Sequence, residues 1–549
     1  MSPTIDGAVL TGDIARLFGG IIGSADHPVA AEYLRLIGGE RIVETPVIQA
    51  RLVGSPDRRD ERGVSWSWAT PGPAGSWRQI SEERGGCGLV RDEDGWVLFT
   101  DAVGMNPILV RPLDDVVLFG DSVEALAAVG PALVPDWQAW AETIAIGAPL
   151  GERTHFAGIR RLGPARALRI GDDGSVGAIG YLPAWTTYTR SPVRPEAMAE
   201  ALEDALPDED GEPPAIPLSG GWDSRILAAL ALRRYRRFPE AWTVGQDDGR
   251  DRDLDLSPAV AGALGLTQHV VTQPLSGWPE MAGEARRRME FATWLHTWFI
   301  PLVREMRGAV PAFLDGLAGD VIVKGLFVDE ELLEAPAGDH LPLLFARLGG
   351  DPERFDRLFR DEVAPVLLEA AREDFLAAAG VFEGHVNQLA LAVLQTRTAR
   401  AIAPAALRLF GPEVRPWFPY LHPEFLRMAL TIDPRDKLEG GLSRAILETV
   451  GPGVADLPST NDPGGYPPRT RFRLQAGREA VSWMIGLIEA SEPAAALFHP
   501  GVLPELGEKG LDQKMAGLEA LRALQAASLL ADWEIQHRSR LAPTAPPWA

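Results

Sequence analysis

The sequence predicts a two-domain α/β protein. A sheet-rich domain spans residues 1–185, and a doubly wound parallel sheet with a helical C-terminal part spans residues 196–549. Three observations carry this reading. At 549 residues the chain exceeds what one hydrophobic core organises. Residues 40 to 180 alternate short apolar segments with glycine, proline and charged turns, which is the pattern of strands. Beyond residue 215, strand-like apolar segments alternate with helix-forming ones, the βαβ rhythm of a parallel sheet.

In the first domain, Gly95-Trp96-Val97-Leu98-Phe99 and Val116-Val117-Leu118-Phe119 read as strands. The lone cysteine, Cys87, lies in Gly85-Gly86-Cys87-Gly88 and reads as a buried structural residue. One cysteine excludes a disulfide framework and a Cys-based zinc site within the chain, and implies a reducing compartment. The formal charge is −23 and the pI about 4.9, which argues against a nucleic-acid surface because phosphate binding needs clustered Lys and Arg. No charge-free apolar run is long enough to span a bilayer, and the amino terminus does not read as a signal peptide. A cytoplasmic enzyme that engages neither nucleic acid nor membrane is expected.

Residues 181 to 214 read as linker plus a helix from Pro195 to Leu206. Then Ala215-Ile216-Pro217-Leu218 reads as a strand, Ser219-Gly220-Gly221-Trp222-Asp223-Ser224 as a tight turn, and Ile226 to Leu232 as a helix. Successive glycines let the backbone approach a ligand, and the helix points its free N–H groups at the turn, so an anion is expected there. The turn has no lysine and is not a Walker loop. Asp223 would repel a phosphate unless a divalent cation lay between them. A second strand, Ala241 to Gly245, and a helix, Leu256 to Leu266, complete a βαβ unit. Val244 then lies near a nucleotide's base or ribose, or is a plain core valine. Phe291 to Phe299 reads as an aromatic helix whose rings pack the core or line a peptide cleft, with His296 as a buried histidine. From Glu330 onward the composition is helical, as in Leu391 to Ile402 and Glu519 to Leu530.

Ser219-Gly220-Gly221-Trp222-Asp223-Ser224 resembles the SGGxDS pyrophosphate loop of ATP-pyrophosphatases, which activate a carboxylate as its acyl-adenylate. Phe313-Leu314-Asp315-Gly316-Leu317-Ala318-Gly319-Asp320-Val321 resembles the second nucleotide signature of that family, and Asp320 maps onto its metal-binding aspartate. The resemblance implies ATP and Mg²⁺, with Asp223 and Asp320 as the metal ligands, and nucleotide contacts from Leu218, Ser219, Gly220, Gly221, Asp223, Ser224, Val244 and Gly316. Glu413-Val414-Arg415-Pro416-Trp417-Phe418 resembles the E-V-R-x-P-F motif of the synthetase domain, and Lys437 and Arg444 fall where the family has a K…R pair. Asp223, Asp320, Glu413, Lys437 and Arg444 are therefore the implied catalytic set. Glu413 is either a proton acceptor or half of an ion pair with Arg415 or another cation.

In the first domain, Asp101-Ala102-Val103-Gly104-Met105-Asn106-Pro107-Ile108 resembles the D-x-x-G-x-x-P-L stretch of asparagine-synthetase-type amidotransferase domains. Leu118 to Leu126 looks like the stretch that follows it in that family, and Thr154 to Pro164 like the segment that closes the domain. The implied architecture is an Ntn-type glutaminase-like β-sandwich followed by an adenine-nucleotide alpha hydrolase-like domain. That family's glutaminase uses an N-terminal cysteine, whereas this chain opens Met1-Ser2-Pro3. The fold is expected without the ammonia-releasing reaction.

Among asparagine synthetase B-like families, β-lactam synthetases pair a tyrosine with a glutamate. Here the tyrosine position looks like Leu317, and Leu457-Pro458-Ser459-Thr460-Asn461-Asp462 lacks those enzymes' pyrophosphate lysine. Trp222 together with Asp315-Gly316-Leu317 looks most like lasso peptide macrolactam synthetases. Those enzymes adenylate an Asp or Glu side chain of a precursor peptide, whose α-amine closes an isopeptide ring, and they work with a leader peptidase and a leader-recognition protein. The alternatives are a β-lactam synthetase type, an ammonia-dependent asparagine synthetase, and a non-catalytic scaffold that binds peptide or nucleotide.

Overall fold

The computed structural model describes residues 17–67, 75–186, 190–208, 212–246, 252–351, 358–411, 413–462, 474–511 and 517–548. The Met1-Ser2-Pro3 opening lies outside them. Among the described residues, the first part supplies twelve strands: β1 (Leu17–Gly23), β2 (Glu40–Glu44), β3 (Ile48–Val53), β4 (Arg58–Asp60), β5 (Gly63–Ser67), β6 (Gly86–Asp92), β7 (Gly95–Phe99), β8 (Leu109–Pro112), β9 (Val116–Gly120), β10 (Arg160–Arg161), β11 (Arg166–Ile170) and β12 (Val176–Gly180). They form two antiparallel sheets, ordered β10-β8-β9-β1-β3-β2 and β12-β11-β7-β6-β5-β4.

One-sided burial explains the alternation within strands. In β3, Ile48, Ala50 and Leu52 point inward while their neighbours are half-buried. The two sheets share one apolar core, in which Phe18 of β1 meets Trp66 of β5 with ring centroids 5.0 Å apart. Cys87 lies in this core with 3% exposure, as expected of a structural thiol. Strand β7 is buried throughout because its other face is covered by the helix Trp77–Glu83, whose Ile80 packs with Val97 and Phe99. A reciprocal cap between Ser76 and Gln79 starts that helix. After β7 the Asp101 carboxylate accepts the N–H groups of Val103, Gly104, Met105 and Asn106, and Gly104 turns with φ of +80°. This is why an aspartate three residues before a glycine defines the turn.

Among the described residues, the second part contains five parallel strands: β13 (Ile216–Pro217), β14 (Ala241–Val244), β15 (Gln268–Val271), β16 (Ala312–Leu314) and β17 (Arg415–Trp417). The β13-β14-β15 and β16-β17 ladders join through a parallel bridge between Ala215 and Phe313, so the spatial order is β15-β14-β13-β16-β17. Chain order thus reverses between β13 and β16. In an open parallel sheet such a reversal leaves a crevice at the carboxyl ends of the two strands, the usual position of a ligand.

The expected helices are present as Pro195–Asp204 and Arg252–Leu264. Residues 391–402 are helical too, with the stretch Leu394–Ile402 wound as a π-helix. Phe291 to Phe299 corrects the helical expectation. It is a run of turns ending in a short 3₁₀ segment, Thr297–Phe299, with φ of +51° at Glu290, +57° at Phe291 and +65° at His296. Tertiary contacts override its helix propensity: Phe291 is buried, and the Glu290 carboxylate is held by Ser122 Oγ at 2.5 Å and by the Val123 N–H at 2.9 Å.

The C-terminal helix Gly517–His537 returns to the first part of the chain. His537 Nε2 lies 2.8 Å from Glu124 Oε2, and Trp533 packs on Trp140. One apolar cluster therefore runs from Leu17 to Trp548. No helix among the described residues is long and apolar enough to cross a membrane.

Candidate active site

The turn after β13 and the turn after β16 meet at the reversal point of the parallel sheet. The first leads into the helix Trp222–Arg234. Ser219 and Ser224 join their hydroxyls at 2.9 Å across the turn, and Ser224 Oγ accepts the Ser219 N–H at 3.1 Å. Leu218 is buried and tied to β14, its N–H donating to Trp242 O at 2.8 Å. Val244, 5% exposed, ends β14 on the same side.

Asp223 is the point of closest approach between the two turns. A Cβ built on Gly319 would lie 2.9 Å from Asp223 Cγ, and one on Gly316 would lie 3.5 Å from Asp223 Cβ. Glycine at these positions is what lets the carboxylate sit against the second turn. Burial raises the Asp223 pKa; Lys324 opposes that rise, and the neighbouring charge of Asp320 adds to it. Burial likewise pushes Asp315 up to about 6, with Asp320 again contributing. The structure thus brings Asp223, Asp315, Asp320, Gly316 and the serine-glycine loop together.

Lys324 is the principal residue that sequence reasoning missed. Its Nζ lies 2.6 Å from Asp223 Oδ2, both side chains being mostly buried. Asp223 and Asp320 hold its pKa up against burial. The available signal was its spacing, one helical turn after Asp320. Arg397 was missed as well. It lies within the π-wound segment with its guanidinium over the Phe327 ring, under the attraction of Asp320 and buried enough for its pKa to fall.

The loop's backbone donors have partners that show what it receives. The Gly220 N–H donates to Asp253 Oδ1 at 2.8 Å, so a carboxylate already occupies one anion position. The Trp222 N–H donates to Asn461 Oδ1 at 3.0 Å, and the Gly221 N–H to Ser219 Oγ. Segment 457–462, which lacks a lysine, therefore caps the loop with neutral groups: Ser459 Oγ and the Thr460 N–H both donate to Gly220 O. Arg225, fully buried, fixes this segment by donating to Val454 O, Leu457 O and Gly220 O at 2.9 to 3.0 Å.

Mg²⁺ fits this donor set. Asp223 Oδ1 is buried and has no hydrogen-bond partner, and Asp320 adds a second carboxylate beside it. No cluster of three or more His, Cys, Asp or Glu side chains suited to a metal occurs among the described residues. The remaining ligands of a hard cation would therefore be phosphate and water oxygens, as is usual for Mg²⁺.

Three residues of the implied catalytic set lie elsewhere. Glu413 precedes β17, whereas the Ser219 and Gly316 turns follow β13 and β16, so in a parallel sheet it belongs to the opposite end. It is exposed, and its nearest cation is Arg307 at 3.7 Å; Arg415 pairs with Asp57 instead. Arg444 is exposed on the helix Gly441–Val450 and bonds Glu448 at 3.0 Å. Lys437 is buried, donates to Asn387 Oδ1 at 2.7 Å, and is pushed by burial down to about 7. It anchors the segment ending at Gly440, where φ is +74° and an added Cβ would lie 2.3 Å from the Trp222 ring. Lys437 thus supports the loop from behind.

No curated protein matches the chain. Residues 196–454 match the asparagine synthase family. The segment that builds the parallel sheet and both nucleotide turns is therefore similar to the synthetase domain of asparagine synthetase-like enzymes, and ATP-dependent amide bond formation is the chemistry this similarity supports.

Proposed function

We propose that this protein is a lasso peptide cyclase: an ATP- and Mg²⁺-dependent ligase that adenylates an Asp or Glu side chain of a precursor peptide and releases pyrophosphate. The peptide's N-terminal amine then attacks the activated carbonyl, forming the isopeptide bond as AMP departs with its phosphate oxygen and the amine loses a proton. The observation that carries the adenylation step is the convergence of Asp223 with the Gly316–Asp320 turn at the sheet's reversal point. In this reading Ser219, Gly220, Gly221 and Ser224 orient the phosphates, Asp223 and Asp320 hold the cation, and Leu218, Val244 and Gly316 border the nucleotide. Bound Mg²⁺ would supply charge neutralisation at the phosphates. Lys437 acts as a positioning residue through Gly440 and Trp222.

The choice of nucleophile rests on Leu317. It is 8% exposed and apolar, so nothing at that position relays a proton. A peptide α-amine, with a pKa of about 7.7 to 8, is already partly neutral near pH 7.5. Positioning can then supply most of the rate, roughly 7 to 11 kcal/mol for a well-aligned intramolecular attack. Partners of this reaction would be the precursor peptide, a leader peptidase and a leader-recognition protein.

The test is incubation with ATP, Mg²⁺ and a leader-free peptide bearing a suitably spaced Asp or Glu. Loss of one water by mass, with AMP and pyrophosphate as products, is expected; ADP and phosphate would contradict the reading. Asp223→Ala and Asp320→Ala abolish pyrophosphate exchange if these residues hold the cation. Turnover of a small β-amino acid, or of aspartate with ammonium, would instead identify a β-lactam synthetase type or an asparagine synthetase. Absence of exchange with every candidate would indicate a non-catalytic scaffold.

A further inference from the structure

Between the antiparallel sandwich and the second part of the chain lies a cavity of about 90 Å³, away from both nucleotide turns. Arg161, Arg400 and Arg408 contribute to its wall, with Glu290 beside them, while Met105, Leu407 and Trp533 make other parts apolar. Arg161 donates to Gly104 O, and Arg400 donates to Pro149 O at 2.7 Å and to Arg153 O at 2.9 Å. Among the described residues neither forms an ion pair. Arg408 bonds Glu290 Oε1 at 3.1 Å, and that carboxylate is also held by Ser122 and Val123. The Asp101 carboxylate, the other one near Arg161, is saturated by four backbone N–H groups.

The wall therefore holds four guanidinium groups: Arg153 is paired with Asp136 and Asp374 and Arg408 with Glu290, while Arg161 and Arg400 have no ion-pair partner among the described residues. Arg161 is half-buried, and its guanidinium has more N–H donors than its one bond uses. Burial and the repulsion of Arg400 and Arg408 depress the Arg161 pKa, a strain that an anion would relieve. Guanidinium groups bind carboxylates through paired, charge-assisted hydrogen bonds. The apolar walls suit a short hydrocarbon tail. The volume is below the roughly 150 Å³ that accommodates benzene, which suits a ligand tail of a few carbon atoms.

We propose that this interdomain cavity binds a small aliphatic carboxylate, with its oxygens on Arg161 and Arg400 and its tail toward Leu407 and Trp533. Full-length protein is titrated calorimetrically with acetate, propionate and butyrate at constant ionic strength set with chloride, and with inorganic phosphate as a second oxyanion. Propionate or butyrate is expected to bind at one site per chain and to raise Tm with concentration, while Arg161→Gln weakens it by about tenfold or more. Leu407→Trp, which fills the cavity and leaves the guanidinium groups in place, should abolish binding, and it serves as the test should Arg161→Gln fail to fold. Binding of phosphate but of no carboxylate, no binding beyond chloride, or carboxylate binding unchanged in either folded variant overturns the proposal.

Discussion

Lys324 Nζ sits 2.6 Å from Asp223 Oδ2, while the other oxygen of the same carboxylate is buried without a partner. One side of Asp223 is thus neutralised by the chain itself, and the other is the oxygen that the proposed reading assigns to a cation.

Removing Lys324 leaves a buried carboxylate uncompensated, at a cost of about 3 to 5 kcal/mol. Lys324→Ala is therefore expected to lower unfolding stability by that order in urea titrations. Asp223→Asn in the same chain should recover part of it. A Lys324→Ala variant as stable as the parent would show that the pair has no structural role.

The two glycines facing Asp223 should respond differently to alanine. At Gly319 the new Cβ lies 2.9 Å from Asp223 Cγ, whereas at Gly316 it makes an ordinary 3.5 Å contact. Gly319→Ala is expected to lower Tm, through overpacking of about 1 to 3 kcal/mol, and to reduce pyrophosphate exchange. Gly316→Ala should leave Tm near that of the parent. Equal effects at both positions would refute the close approach of Asp223 to the second turn.

Asp253 holds the Gly220 N–H that an anion needs. Asp253→Asn removes a negative charge from the loop without changing its shape, so pyrophosphate should inhibit the variant at lower concentration than the parent. The inhibition constant, measured at fixed Mg²⁺ and salt, is the readout. An unchanged or higher constant would separate Asp253 from the anion site.

Glu142, fully buried, is pushed up to about 10 by burial and by its hydrogen bond and charge contact with Asp374. The folded chain therefore keeps a proton that the unfolded chain releases in the ordinary carboxylic range. Stability falls as pH rises from that range toward about 10, by at most about 1.4 kcal/mol per pH unit from this group. Glu142→Gln should flatten the dependence, with the gap to the parent changing between pH 6 and 9 in urea titrations. Parallel pH profiles for the two proteins would refute a protonated Glu142.

Local chemistry is what made much of this protein legible in advance. Short apolar segments bounded by turn residues marked strands such as β7 and β9, and the glycine-rich turns at Ser219 and Gly316 announced themselves because so few residue types allow a backbone to approach a ligand. The burial of Cys87 followed from its apolar, glycine-rich surroundings. Phe291 to Phe299 misled because helix propensity is weaker than the contacts that hold Glu290 and Phe291 at positive φ. Arg397, Asn461 and the orientation of Glu413 were not legible, because each depends on which strand ends face one another. Residue patterns alone marked a sheet-rich first part, a βαβ second part and the aspartates and glycines of the two turns. Only the tertiary structure decided which of them meet, since the reversal of strand order between β13 and β16 is a long-range property that places two turns nearly a hundred residues apart at one crevice and leaves Glu413 at the sheet's other end.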